Sequence, residues 1–217
     1  MRDLARVIVQ ASSVSHHLNK LGVPMDALVK AAQNGFIERA MAHPSDPVTA
    51  AGTDAWRYTV RSLRASLVDI GWRVDDPQNL PIAINDHLRV NITVSSGDEA
   101  TGNPQKEPKT KNPKGTLLEA AVDRNAHQRE LFPETISEAK RQFENTIEYP
   151  TWVLLIYITD EEIRAELSLP NSYGENSHLD GWACRLILEI PLPDEETHST
   201  SEDEDESEIV PQVKPRI

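Results

Sequence analysis

The hydrophobic period of this chain changes once, near residue 80, and the change separates a helical part from a strand part. Before it, apolar residues recur three and four positions apart in three stripes: Leu4, Val7, Ile8, Ala11, Val14 and Leu18; Met25, Leu28, Ala32, Phe36 and Ala40; Trp56, Val60, Leu63 and Leu67. After it, apolar residues alternate with polar ones, first at Leu88, Val90, Ile92 and Val94. Helices followed by alternating strands predict an α+β fold.

The three stripes predict an N-terminal helical region over residues 1–70. The first stripe predicts a helix over residues 4–21, and the second predicts one over residues 25–41. The third helix is expected to begin near Thr53 or Asp54, because either side chain can accept hydrogen bonds from the first turn. The first two helices are expected to form a hairpin.

Residues 71–192 predict a mostly antiparallel sheet of about five strands, with two inserted helices. We expect this region to form one folded unit with the N-terminal helices. The predicted strands cover residues 80–84, 88–95, 151–159, 163–169 and 183–190, and the predicted helices cover 116–130 and 134–146.

The charge of the chain is concentrated at its C-terminal end. Residues 193–217 carry nine acidic and two basic residues, so this segment contributes −7 to a net charge of −13. Few large apolar groups accompany these charges, which predicts a disordered acidic tail. The acidic balance of the whole chain therefore does not exclude an anionic ligand for the folded part.

Two absences narrow the function class. No apolar run approaches the roughly 18 residues of a membrane helix, so we expect no membrane association. A single cysteine, Cys184, excludes a disulfide framework and a zinc site made of cysteines. A soluble cytoplasmic protein is the simplest interpretation.

The first candidate site is SSGDEATGNPQKEPKTKNPKGT, between a predicted strand and a predicted helix. Its candidate ligand-binding or nucleic-acid-binding residues are Ser95, Ser96, Gly97, Lys106, Lys109, Lys111 and Lys114. Glycine-rich loops at this position bind phosphate through backbone N–H groups. The spacing matches neither G-x-x-x-x-G-K-[ST] nor G-x-G-x-x-G. Two interpretations stay open: a contact surface, for nucleic acid rather than a nucleotide, and a mobile loop.

Two sets of arginines are further candidates for anion or nucleic-acid binding. Arg57, Arg61 and Arg64 form a basic stripe on the third helix, which suits either a phosphate backbone or pairing with local acids. Arg89, Arg164 and Arg185 would project from the polar faces of three strands. They suit either an anion clamp or cross-strand ion pairs, and a one-residue register shift would reverse their faces.

No complete catalytic motif is present, and no metal site is predicted. Asp86, Asp98 and Glu99 are the weak candidates for an atypical Mg²⁺-dependent nuclease site. No cofactor is expected unless that alternative holds.

The absence of such a motif, together with local basic features, predicts a non-catalytic accessory protein. It would bind a macromolecular partner, protein or nucleic acid, in a multi-protein system that handles nucleic acid. The alternatives are the divergent nuclease or phosphoryl-transfer enzyme and a protein–protein adaptor acting through the acidic tail. The oligomeric state stays open.

Overall fold

The computed structural model describes residues 5–127 and 149–193, and it confirms the α+β class. Seven strands lie in these ranges: β1 Arg6–Ile8, β2 Arg73–Asp75, β3 Ile82–Asn85, β4 Val90–Ser96, β5 Thr151–Ile158, β6 Ile163–Tyr173 and β7 Leu179–Leu188. The four α-helices there are α1 Ala11–Leu21, α2 Met25–Ala40, α3 Ala50–Val68 and α4 Thr116–His127. None of these helices is long and apolar enough to cross a membrane.

The strands form one mixed sheet in the order β1-β7-β6-β5-β4-β3-β2. Two neighbouring pairs, β1 with β7 and β4 with β5, are parallel, and the other pairs are antiparallel. The connection from β4 to β5 contains α4. Because β4 and β5 run in the same direction, their carboxyl ends lie at the same edge of the sheet.

Helices α1, α2 and α3 cover one face of the sheet. Leu28 and Leu63 of this layer share a core with Leu154 and Leu167, and all four side chains are almost completely buried. Burying a leucine side chain contributes on the order of 2 kcal/mol, so this core contributes substantially to stability. Leu18, Leu28 and Leu63, one from each predicted apolar stripe, belong to this core.

The opposite face is covered by α4 and by the segment that follows β4. Leu118 and Val122 of α4 pack against Val153 and Leu155 of β5 in a second core. Asn91, Thr93 and Ser95 also lie on covered surface, with at most 2% of each residue exposed. The alternation in this segment predicts a half-buried strand with one polar face, and the half-burial is wrong. Both of its faces are buried.

Three further sequence predictions need correction. The sheet has seven strands and a mixed order, because two short edge strands, β1 and β2, were not predicted. Residues 6–8, predicted as helix, pair in parallel with β7 through Arg6 and Cys184. Leu88 and Arg89 precede β4 in a turn, where Arg89 has φ 54°. The predicted helix over 134–146 and the predicted tail lie outside the described residues.

Candidate functional site

A cleft of about 1300 Å³ opens where β4 and β5 end. Open sheets with parallel strands hold ligands outside the carboxyl ends of those strands. The first turns of α3, the first turn of α4 and the chain between β4 and α4 form the walls. We call that chain, residues 97–115, the lysine loop.

The walls of the cleft combine apolar and charged groups. Trp56, Leu80 and Leu117 line it together with Lys111 and Lys114. The Trp56 indole is held in place because its Nε1 donates a hydrogen bond to the carbonyl oxygen of Val94, at 3.1 Å. The cleft therefore suits an anionic ligand that also has an apolar or aromatic part.

The lysine loop returns along the end of β4 as a short antiparallel arm. Gly97 and Thr110 form a β-bridge. The Asp98 N–H donates to the Lys109 carbonyl, and the Lys111 N–H donates to the Ser96 carbonyl, both at 2.9 Å. These bonds place the Lys111 backbone next to the carboxyl end of β4.

Gly97 is required at this bridge because there is no room for a side chain. An added Cβ would overlap the Thr101 hydroxyl and lie 2.7 Å from Cγ of Leu155. The glycine predicted to belong to a phosphate-binding turn therefore has a packing role in the structure.

A buried ion pair holds the middle of the lysine loop against the sheet. We call Arg185 and Glu166 the clamp, with 1% and 0% of their side chains exposed. Arg185 also donates to the Lys106 carbonyl at 2.7 Å and to the Asn103 carbonyl at 3.1 Å. Glu166 accepts from the Gly102 N–H at 2.9 Å. A charged pair can be buried because these bonds replace water.

Three more contacts hold the second half of the loop. Trp182 Nε1 donates to the Pro108 carbonyl at 2.9 Å. The Thr110 N–H donates to the Leu179 carbonyl at 3.0 Å, and the Lys114 N–H donates to the Ser177 carbonyl at 2.8 Å. These contacts pack the second half of the lysine loop against the chain around β7.

The lysines therefore project from a fixed backbone. Lys106, Lys109 and Lys111 are exposed. Burial lowers the pKa of Lys114 from its ordinary 10.5 to about 8. Lys114 stands next to Gly115, whose carbonyl accepts the first hydrogen bonds of α4. The N-terminus of α4 adds partial positive charge at the same wall.

The arginine stripe of α3 has local partners. Arg57 pairs with Asp54 at 2.9 Å, and its guanidinium lies 4.7 Å from the Tyr58 ring centroid. Arg61 approaches the same ring at 5.8 Å. Arg64 forms two hydrogen bonds to Asp76, at 2.7 and 3.0 Å. This last pair lowers the pKa of the Asp76 carboxyl.

The three arginines predicted on strands do not converge. Arg185 is part of the buried clamp. Arg164 lies at the start of β6, over the Tyr157 ring at 4.5 Å, and donates to the Glu99 carbonyl at 2.7 Å. Arg89 immediately precedes β4, at the end of the strands away from the cleft, and lies 5.4 Å from the Tyr149 ring centroid.

The candidate acids are also divided. Asp98 and Glu99 line the cleft. Asp86 lies in the turn between β3 and β4, at the end of the strands away from the cleft. Arg73 donates two hydrogen bonds to its carboxylate, from Nε at 2.6 Å and from Nη2 at 3.1 Å. Hydrogen bonding by Arg73 lowers the pKa of the Asp86 carboxyl. Within residues 5–127 and 149–193, no three His, Cys, Asp or Glu residues group as metal ligands.

Three residues that hold the lysine loop or line the cleft were not predicted as site residues. Glu166 and Trp182 hold the lysine loop, and Trp56 forms a wall of the cleft. Opposite charges at alternating positions of two strands, Glu166 and Arg185, were the available signal. A cross-strand ion pair is one of the two interpretations of Arg185 from the sequence, and Glu166 is its partner in the structure.

Comparisons with protein-family models, curated proteins and solved structures found no match. Function is therefore inferred from the chemistry of the cleft and the lysine loop.

Proposed function

We propose that the protein binds a nucleic-acid strand, without catalysis, as an accessory component of a system that handles nucleic acid. The strand would follow the exposed lysines of the lysine loop and enter the cleft. One observation carries this proposal: Lys106, Lys109 and Lys111 are exposed on a backbone that the clamp holds against the sheet.

Preorganisation is the physical reason that this arrangement favours binding. Ordering a free loop costs about 1–2 kcal/mol per residue, and a ligand would have to offset that cost. Here hydrogen bonds from Arg185 and Trp182 already order the backbone. The lysine ammonium groups can then interact with phosphates at a lower entropic cost.

The cleft also offers aromatic surface. Trp56 and Tyr157 line it, and bases stack on such rings with little preference for sequence. The guanidinium of Arg164 covers one face of the Tyr157 ring. A single strand with unstacked bases would use this surface better than a duplex would, so we propose a single-stranded ligand.

The test is fluorescence anisotropy of labelled single-stranded DNA and RNA across a salt series. The double variant Lys111→Ala, Lys114→Ala should bind more weakly. It should also lose about 1.4 from the slope of log K against log salt, because each single-strand phosphate contact contributes about 0.7. The matched control is Lys20→Ala, Lys30→Ala, which removes two exposed lysines from the helical layer. Equal effects of the two double variants would contradict a site at the lysine loop.

One observation favours a second candidate, the metal-dependent nuclease. Asp98 and Glu99 line the same cleft as Lys111. Two carboxylates and a phosphate oxygen are suitable ligands for Mg²⁺. This candidate predicts Mg²⁺-dependent cleavage that Asp98→Asn abolishes. A stoichiometric complex without turnover would favour the binding protein.

The adaptor alternative depends on the acidic tail, which lies outside the described residues. A partner that stays bound to the full chain after nuclease treatment would favour it.

A further inference from the structure

The end of β7 brings the chain to the cleft side of the sheet. Leu188 pairs with Ala165 near the start of β6, and β6 begins beside the end of β5. The cleft lies at that end of β5. Residues beyond 188 therefore leave the sheet at the edge where the cleft opens.

A hydrogen bond holds the chain that follows β7 against helix α2. The side-chain amide of Gln33 on α2 donates to the Pro191 carbonyl at 2.9 Å. Arg39, six residues further along the same helix, lines the cleft. At 1.5 Å per residue, this separation is about 9 Å along the helix axis.

The segment after this exit has enough length to enter the cleft. Its acidic run, residues 202–208, begins nine residues beyond Pro193. Nine extended residues span at most about 30 Å.

The composition of the segment matches the lining of the cleft. Six acids of the run would meet Lys111, Lys114 and the N-terminus of α4. Ile209 and Val210 follow the acids directly, and the cleft has apolar walls at Trp56 and Leu117. The acids Asp98 and Glu99 at the rim oppose this attraction, so the contact is expected to be weak in isolation.

We propose that residues 194–217 bind back into the cleft of the same chain and compete there with the nucleic-acid strand. This inference rests on the proposed function of the cleft. A short tether gives an effective concentration of about 1 mM. A contact with an intrinsic Kd of about 0.1 mM would then weaken strand binding by about tenfold.

The contact is tested directly in the full chain by zero-length carbodiimide cross-linking and mass spectrometry. The expected products join Lys111 or Lys114 to carboxylates of residues 202–208, within one chain. Lys20 and Lys30 on the helical layer are the internal controls and should give little product. Absence of the Lys111 and Lys114 products, equal yield at Lys20 and Lys30, or products only between chains would overturn the proposal.

Competition is tested by strand binding. The variant Glu204→Gln, Asp205→Asn, Glu206→Gln should recover most of the tenfold loss in affinity. The control Asp26→Asn, Asp69→Asn, Asp75→Asn changes the net charge equally at exposed positions of the body. An equal gain in both variants would overturn competition, because it would show only the effect of net charge.

The two proposals fail in different ways. Cross-links at Lys111 and Lys114 without any strand binding would overturn the proposed function and leave the tail contact standing. Strand binding that depends on these lysines, without cross-links, would overturn the tail contact alone.

Discussion

Arg185 and Glu166 form a two-point ion pair between the neighbouring strands β7 and β6, underneath the lysine loop. Nε of Arg185 lies 2.9 Å from Oε1 of Glu166, and Nη2 lies 2.5 Å from Oε2. Ser168 and the Gly102 N–H also donate to this carboxylate, at 2.7 and 2.9 Å. Because the same guanidinium bonds to two carbonyls of the loop, the pair links the sheet to the candidate site.

Removing one member of this pair should destabilise the protein strongly. Arg185→Ala leaves the Glu166 carboxylate buried without its counter-ion, and we expect a loss of about 3–5 kcal/mol in the free energy of unfolding. The measurement is urea denaturation at neutral pH. The control is Asp86→Ala, which breaks the solvent-exposed pair with Arg73 and should cost far less stability, because water already screens that pair. Similar losses in both variants would contradict the clamp.

Two helical glycines should respond oppositely to alanine. A Cβ at Gly35 would overlap the Thr59 hydroxyl and lie 2.7 Å from the Ala55 carbonyl oxygen, where α2 meets α3. We expect Gly35→Ala to lower the free energy of unfolding by about 1–3 kcal/mol. Gly52 on α3 has open space around it, so Gly52→Ala should be neutral or stabilising by up to about 1 kcal/mol. Paired denaturation curves test this, and a stabilising Gly35→Ala would contradict the close helix contact.

The lowered pKa of Lys114 predicts a pH-dependent stability. Burial lowers this pKa to about 8, whereas the unfolded chain keeps it near 10.5. The cost of the buried ammonium is fully present below pH 8. Between about pH 8 and 10.5 the unfolded state binds more protons, so this contribution to unfolding free energy rises with pH. The advantage of Lys114→Met over the unmodified protein should therefore be larger at pH 7 than at pH 10. A pH-independent difference would contradict the burial of this group.

The same group should make strand binding pH-dependent. Above about pH 8 Lys114 loses the charge that would meet a phosphate. We therefore expect the affinity advantage of the unmodified protein over Lys114→Ala to shrink between pH 7 and pH 9. Anisotropy titrations at fixed ionic strength measure this, and parallel pH profiles would place Lys114 outside the contact.

The elements that sequence analysis predicted well are those with local signals. The stripes of α1, α2 and α3 and the apolar run of β5 each lie within one continuous segment, so periodicity indicates them. Strand β1 has three residues and is defined by pairing with β7, far along the chain. Because Val7 and Ile8 also fit a helical stripe, local pattern predicted the wrong element.

The candidate site was predicted only in part for a related physical reason. The lysines and Gly97 were recognised because they lie in one segment. Alternation on β6 and β7 places Glu166 and Arg185 on the polar faces of their strands, and it leaves an anion clamp and a cross-strand ion pair as alternatives. Which segment covers that face depends on contacts between distant residues, and the lysine loop covers it here.

The most direct test of the account is the affinity of the full chain for a labelled single strand at low salt, with and without Lys111 and Lys114. We predict salt-dependent binding that falls in the double variant Lys111→Ala, Lys114→Ala and persists in the double variant Lys20→Ala, Lys30→Ala. Absence of binding, or equal affinity in all three proteins, would contradict it.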